Sequence, residues 1–106
     1  MGARRILVAN ELTSYRQTIA IAIRELRPGV EVFEADHDAL DGEIARLGPD
    51  LVICSHVTCM VEQRVTNWVE LYPNYKSYST FCVGGERRAL KRVQLSDLLS
   101  LCASLQ

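Results

Sequence analysis

The chain has 106 residues, 48% of them hydrophobic and 24% charged, and its formal net charge is −1. This length suits one domain with a single core, and the composition is ordinary for a globular protein. The balanced charge argues against nucleic acid and anionic membrane partners. No apolar run approaches the length of a membrane span, and the start of the chain lacks the apolar core of a signal peptide. We therefore expect one cytoplasmic domain over residues 1–106, with no nucleic acid or membrane partner.

The first half of the chain alternates short apolar runs with amphipathic segments. Short runs rich in aliphatic side chains are typical of buried strands, and apolar residues at three- and four-residue spacing indicate helices. Thr13 or Ser14 suits the first helix start, and Asp36 or Asp38 suits the second. The pattern predicts strands at 5–9, 30–35 and 51–54, with helices between them that end at Leu26 and Leu47.

The second half continues the alternation. Val61, Val65, Trp68 and Val69 predict a third helix over about residues 58–71. A fourth strand is predicted at 78–83, stopped by Gly84 and Gly85, and a short fifth strand near Leu90. A last helix, capped by Ser96, carries an apolar side of Leu98, Leu101, Cys102 and Leu105. The whole pattern predicts a three-layer α/β domain with a mostly parallel sheet of about five strands in the order 2-1-3-4, joined by right-handed crossovers.

Three segments carry a resemblance to a known family. They are Ile6-Leu7-Val8-Ala9-Asn10-Glu11, Pro49-Asp50-Leu51-Val52-Ile53-Cys54-Ser55, and the stretch from Leu90 through Lys91 to Leu98. In this order they resemble the acidic pair, the phosphoacceptor strand and the lysine segment of bacterial response-regulator receiver domains. The resemblance covers nearly the whole chain and implies a flavodoxin-like fold. It also implies a pocket formed by Asn10, Glu11, Ser55 and Lys91.

The departures from the family pattern indicate that this pocket is degenerate. Ser55 stands where the family has the phosphoacceptor aspartate, and a serine hydroxyl is a weak nucleophile unless a base activates it. Glu11 is the one carboxylate left of three, so a divalent cation should bind poorly. Only Lys91 matches outright, and we expect it to form an ion pair with Glu11. Residues 84–90 are too few for a full helix, so the family's fourth helix is expected to be shortened or missing.

These features predict a non-phosphorylatable pseudo-receiver, a protein–protein interaction module in signal transduction with no enzymatic activity and no cofactor. Its partner would be a signalling protein, or a second copy in a homodimer. The densest positive patch, formed by Arg87, Arg88, Lys91 and Arg92, is expected to be a solvated face.

The alternative is a thiol-based redox or metal sensor. Cys54, His56 and Cys59 follow the third predicted strand, and sulfur and imidazole ligands suit zinc. This run supplies three ligands of the four that a closed site needs, and Cys82 on the neighbouring predicted strand is the candidate fourth. Packing of reduced cysteines as small hydrophobic residues explains the same positions without a metal.

Overall fold

The computed structural model describes residues 4–72 and 77–103. Within them lies one sheet with the strand order β2-β1-β3-β4-β5-β6. The strands are β1 (Arg5–Ala9), β2 (Glu31–Glu34), β3 (Leu51–Cys54), β4 (Asn67–Glu70), β5 (Tyr78–Val83) and β6 (Glu86–Lys91). The helices are α1 (Thr13–Leu26), α2 (Leu40–Leu47), α3 (Cys59–Arg64) and α4 (Leu95–Ala103), with a 3₁₀ turn at His37–Ala39. Leu105, predicted on the apolar side of α4, lies outside the described residues.

The first four strands run parallel, and β1 and β3 form the centre of this half. Ile6 pairs with Leu51 and Ala9 with Cys54, so the two strands end side by side. All four residues of β3 are buried, as are the last four of β1. A strand covered on both faces needs a continuous apolar run, which explains why these two strands were predictable from sequence.

Helices cover both faces of the sheet. Because side chains alternate along a strand, Ile6 and Val8 of β1 pack on one face against α1 and α4, in a cluster with Ile23 and Leu98. Leu7 and Ala9 pack on the other face, in a cluster with α2 and α3 residues such as Ile44. The three-layer arrangement follows from this division of the apolar residues.

The prediction of a mostly parallel, flavodoxin-like sheet of five strands is wrong. The sheet has six strands and is mixed, because β4 pairs antiparallel with β5, and β5 pairs antiparallel with β6. The predicted third helix ends at Arg64, and the chain then forms β4, parallel to β3. Trp68 and Val69 fill opposite faces of the sheet, where each is almost fully buried. Packing of consecutive side chains on opposite faces is the alternation of a strand, whereas consecutive side chains of a helix do not point to opposite faces.

The connection between β5 and β6 is a two-residue hairpin turn. Gly84 and Gly85 have φ angles of 60° and 88°, which glycine adopts without steric cost, and such turns match the twist of paired strands. The predicted short fifth strand near Leu90 is therefore the six-residue strand β6, at the edge of the sheet. In the described part of the chain, no helix combines the length and the apolar character that crossing a bilayer requires.

Candidate functional site

A cavity of about 480 Å³ opens at the carboxyl ends of β1, β3 and β4. The chain leaves β1 towards β2 on one side, and β3 lies on the other side, so the cavity sits where the strand order changes direction. Ligands of open α/β sheets bind at such a point. Its polar lining consists of Asn10, Glu11, Ser55 and His56. Its apolar lining consists of Leu12, Tyr15, Leu71 and Tyr72.

Ser55 and Glu11 contact each other across the ends of β3 and β1. The Glu11 backbone N–H donates to the Ser55 hydroxyl, with 3.0 Å between nitrogen and oxygen. The Glu11 carboxylate in turn lies 3.1 Å from Nε2 of His56. The Ser55 hydroxyl, which stands at the predicted phosphoacceptor position, therefore accepts a hydrogen bond from the protein backbone. The Glu11 carboxylate contacts the His56 imidazole.

Asn10 lies at the end of β1 and is 1% exposed. Its backbone oxygen accepts a hydrogen bond from Arg16, which also bonds to the Ala35 carbonyl and to Asp36. The Asn10 Oδ1 atom has no hydrogen-bond partner among the described residues. Arg16 thus ties the ends of β1 and β2 together and fixes the polar floor of the cavity.

Tyr72 lines the cavity at the end of β4 and has an unusual backbone conformation. Its φ angle of 45° lies in the left-handed region, which is uncommon for a residue with a side chain. The backbone N–H donates to Ser79 Oγ at 2.9 Å, and the phenol oxygen accepts from the Val93 N–H at 2.8 Å. These two bonds hold the ring in place, as a residue in a sparsely populated conformation requires. Tyr15 faces it across the cavity, and burial, together with Tyr72, raises the pKa of the Tyr15 phenol.

Lys91 does not join the other three predicted pocket residues. It ends β6, and neighbouring strands are about 4.8 Å apart, so three spacings place it about 14 Å from β3 across the sheet. No ion pair joins Glu11 to Lys91 in the described part of the chain, and His56 takes that place. The reason is β4, which separates β3 from the remaining strands. Asn10, Glu11 and Ser55 line one cavity.

The cysteine and histidine residues of the alternative prediction do not form a ligand set. Residues 4–72 and 77–103 contain no group of three His, Cys, Asp or Glu side chains placed to hold a metal ion. The buried Cys54 and Cys82 thiols each contact a backbone carbonyl, of Val69 and Thr66 respectively. Desolvation, with Glu70 nearby, raises the pKa of Cys54 to about 12. A thiol that stays protonated is a poor metal ligand and a poor nucleophile.

Sequence reasoning missed the role of His56 and the contribution of two tyrosines. His56 turns towards Glu11, and its ring also meets the His37 ring edge-on, with 5.6 Å between centroids. Its position directly after Ser55, at the end of a buried strand, was the available signal for a pocket residue. Tyr15 gives a weaker signal, since its place in the first turn of α1 puts it near the end of β1.

The described lining of the cavity combines polar and aromatic side chains and carries little charge. Among the described lining residues there is one carboxylate, and there is neither lysine nor arginine. Phosphoryl transfer depends on positioned cations to offset the charge of the transferred group. Comparison with protein-family models, with curated proteins and with solved structures finds no match to this chain.

Proposed function

We propose that this chain is a protein-interaction module of signal transduction that has no catalytic activity and is not switched by aspartyl phosphorylation. The observation that carries the proposal is the contact between Ser55 and Glu11, backed by His56. The Ser55 hydroxyl and the Glu11 carboxylate thus have partners within the protein, and Lys91 lies away from the cavity. The signalling context rests on the resemblance of residues 6–11 and 49–55 to receiver domains.

The second half of the chain supports an interaction role in a different way. The antiparallel hairpin of β5 and β6 ends the sheet, and all six residues of β6 are exposed. An exposed strand presents main-chain groups that another chain can pair with. The interaction surface in this proposal is therefore the antiparallel end of the sheet, not a face rebuilt from the receiver pattern.

The cysteines support a cytoplasmic location within this proposal. All four are unpaired, and three of them are buried. Free thiols persist in reducing compartments, whereas oxidising compartments favour disulfides.

A beryllofluoride titration in the presence of Mg²⁺, followed by amide NMR, tests the proposal. Beryllofluoride mimics a phosphoryl group bound to a carboxylate, and we expect no saturable shift at Glu11, Ser55 or Lys91 in the native chain. The Ser55→Asp variant, which supplies the missing carboxylate, is the matched control. We expect no response of Lys91 there either, because that residue lies three strands away. Saturable shifts that converge on Ser55 and Lys91 in the native chain would contradict the proposal.

A further inference from the structure

Strand β6 lies at one edge of the sheet and is open along its length. Among the described residues its one strand neighbour is β5, and each of its six residues is exposed. The outer side of an edge strand carries N–H and C=O groups that pair with water or with another strand. Peptide recognition by strand addition uses such an edge, with main-chain bonds for affinity and side chains for specificity.

Positive charge is concentrated on this strand. Four of the chain's 12 basic residues fall within residues 86–92, where Glu86 is the one acidic residue. The Arg87 guanidinium forms an ion pair with Glu62 at 3.2 Å and lies over the Trp68 ring. In the described part of the chain, Arg88, Lys91 and Arg92 form no ion pair.

Most basic residues in the parallel half of the sheet, unlike those near β6, form ion pairs. Five of the seven described basic residues before residue 86 pair with a carboxylate, namely Arg4, Arg5, Arg16, Arg24 and Arg46. Their charge is locally balanced by acidic residues. Of the five described basic residues without an ion pair, three (Arg88, Lys91 and Arg92) therefore lie on β6 or at its end, and their charge is left for a partner to balance.

The pairing with β5 assigns the side chains of β6 to two faces. Arg87 and Lys91 lie on the face of Cys82 and Tyr78, while Arg88 and Leu90 lie on the face of Phe81 and Ser79. On this second face Leu90 is 38% exposed. A partner strand that alternates acidic and aliphatic residues would place its carboxylates beside Lys91 and Arg87 on one face. Its aliphatic side chains would lie beside Leu90 and the aliphatic stem of Arg88 on the other.

We propose that β6 is a docking strand for an extended acidic segment of a partner protein, which adds to the sheet as a seventh strand. The inference rests on the proposed function, because it names the surface and the partner chemistry of the interaction module. It gives Lys91 a role in partner binding in place of a role in the cavity.

A second copy of this chain fits the edge less well. Two-fold antiparallel pairing of two β6 strands has two central registers. The first places Arg88 opposite Arg88, and the second places Arg87 opposite Lys91. Like charges directly opposite each other destabilise a strand pair, whereas an acidic strand avoids both conflicts.

The test is an amide NMR titration of the full chain with a capped hexapeptide of alternating Glu and Val, and with a matched peptide of alternating Lys and Val. We expect the Glu-Val peptide to shift the β6 amides and slow their hydrogen exchange, and the Lys-Val peptide to do neither. Lys91→Glu should weaken binding at least tenfold. The control Arg27→Glu, which makes the same charge change at the end of α1, should weaken it less than threefold.

Several outcomes overturn the proposal. Equal weakening by Lys91→Glu and Arg27→Glu would show diffuse attraction, and shifts confined to the cavity around Tyr15 would show another site. Sedimentation that reveals a dimer of the native chain, with slowed hydrogen exchange of the β6 amides in the dimer and no peptide binding, would assign the edge to a second copy. A single-stranded oligonucleotide that binds β6 more tightly than the peptide would assign it to nucleic acid. If the peptide does not bind and beryllofluoride causes no shifts, the docking strand is ruled out but the proposed function is not. If beryllofluoride causes saturable shifts at Ser55 and Lys91, the proposed function itself is ruled out.

Discussion

Ser55 follows the last residue of β3, and its hydroxyl accepts the Glu11 N–H at 3.0 Å. Loss of this acceptor in Ser55→Ala leaves the Glu11 N–H without its protein partner at the carboxyl ends of β1 and β3. The bond is exposed, so water can replace the hydroxyl in part, and its loss costs about 0.5–1 kcal/mol of stability. We expect that loss in the free energy of unfolding measured with urea. Ser100→Ala on the exposed side of α4 is the control and should leave stability unchanged or slightly raised. Equal effects of the two substitutions would contradict the role given to Ser55.

The four thiols differ in exposure, and this predicts their reactivity. Cys59 is exposed, whereas Cys54, Cys82 and Cys102 are buried. The thiolate is the reactive form, and the pKa of about 12 keeps Cys54 protonated at pH 8. Alkylation of the native chain at pH 8, followed by mass spectrometry, should modify Cys59 first. Cys59→Ser should remove nearly all rapid labelling, and unfolding should restore the reactivity of the other three. Modification of Cys54 as fast as Cys59 would support the thiol-sensor alternative.

The same buried thiols predict a loss of stability at alkaline pH. Burial raises the pKa of Cys54 from 9.0 to about 12 and that of Cys102 from 9.0 to about 11. Above pH 9 the unfolded chain releases protons that the folded chain retains, so the stability present below pH 9 falls as the pH rises towards 12. Urea unfolding at pH 8, 9, 10 and 10.5 measures this slope. Cys54→Ala with Cys102→Ala should flatten it, and an unchanged slope would contradict the assignment.

At the scale of the elements, β4 decides how the second half of the chain folds. Trp68 is 3% exposed in the cluster between the sheet and helices α2 and α3, and the Arg87 guanidinium lies 5.2 Å from its ring centroid. Trp68→Ala should therefore cost about 3–5 kcal/mol, the range for large aromatic residues in a core. The control is Leu12→Ala, because Leu12 is 63% exposed, and it should change stability by less than about 0.5 kcal/mol. Denaturant unfolding of both variants measures the difference, and a loss below 1 kcal/mol for Trp68→Ala would place that ring on a surface.

The elements that sequence predicts correctly are those whose signal is local. Strands β1, β3 and β5 have the predicted bounds, since each is a short apolar or β-branched run that breaker residues delimit. Strand β4 has four residues, and the spacing of Trp68 from Val61 and Val65 also suits a helix. Its strand conformation depends on pairing with β3 and β5, which no local pattern encodes. The Gly84 and Gly85 pair is a signal for a hairpin as well as for a strand end, and the prediction uses only the second meaning.

The candidate site likewise has a part that the sequence can predict and a part that it cannot. Asn10, Glu11 and Ser55 follow two strands that pair in parallel, and adjacent parallel strands bring their carboxyl ends together. Their proximity could therefore be predicted. The position of Lys91 depends on how many strands lie between β3 and β6, and the unpredicted β4 moved it away from the cavity. The pairing of His56 with Glu11 depends on side-chain direction in a loop, which spacing does not determine.

In the whole molecule, strand β4, which the sequence did not predict, has two consequences. It separates Lys91 from Ser55, so none of the described lining residues of the cavity carries an amine to balance a phosphoryl group, and this supports the non-phosphorylatable module. It also directs β5 and β6 into an antiparallel hairpin whose outer strand is exposed. The cavity and the edge strand are then separate surfaces, and an effect of one partner on the other would have to pass through β4 and β5.

The strand arrangement in solution can be measured by cross-strand nuclear Overhauser contacts. The mixed sheet predicts contacts between the Hα atoms of facing β4 and β5 residues, such as Val69 with Phe81 or Glu70 with Thr80, which antiparallel strands bring close. It also predicts that Val69 is the direct strand neighbour of Ile53. Parallel contacts of Ile53 with Phe81, together with helical contacts over residues 65–70, would contradict it. Lys91 would then lie nearer to Ser55, and both proposals would lose their structural basis.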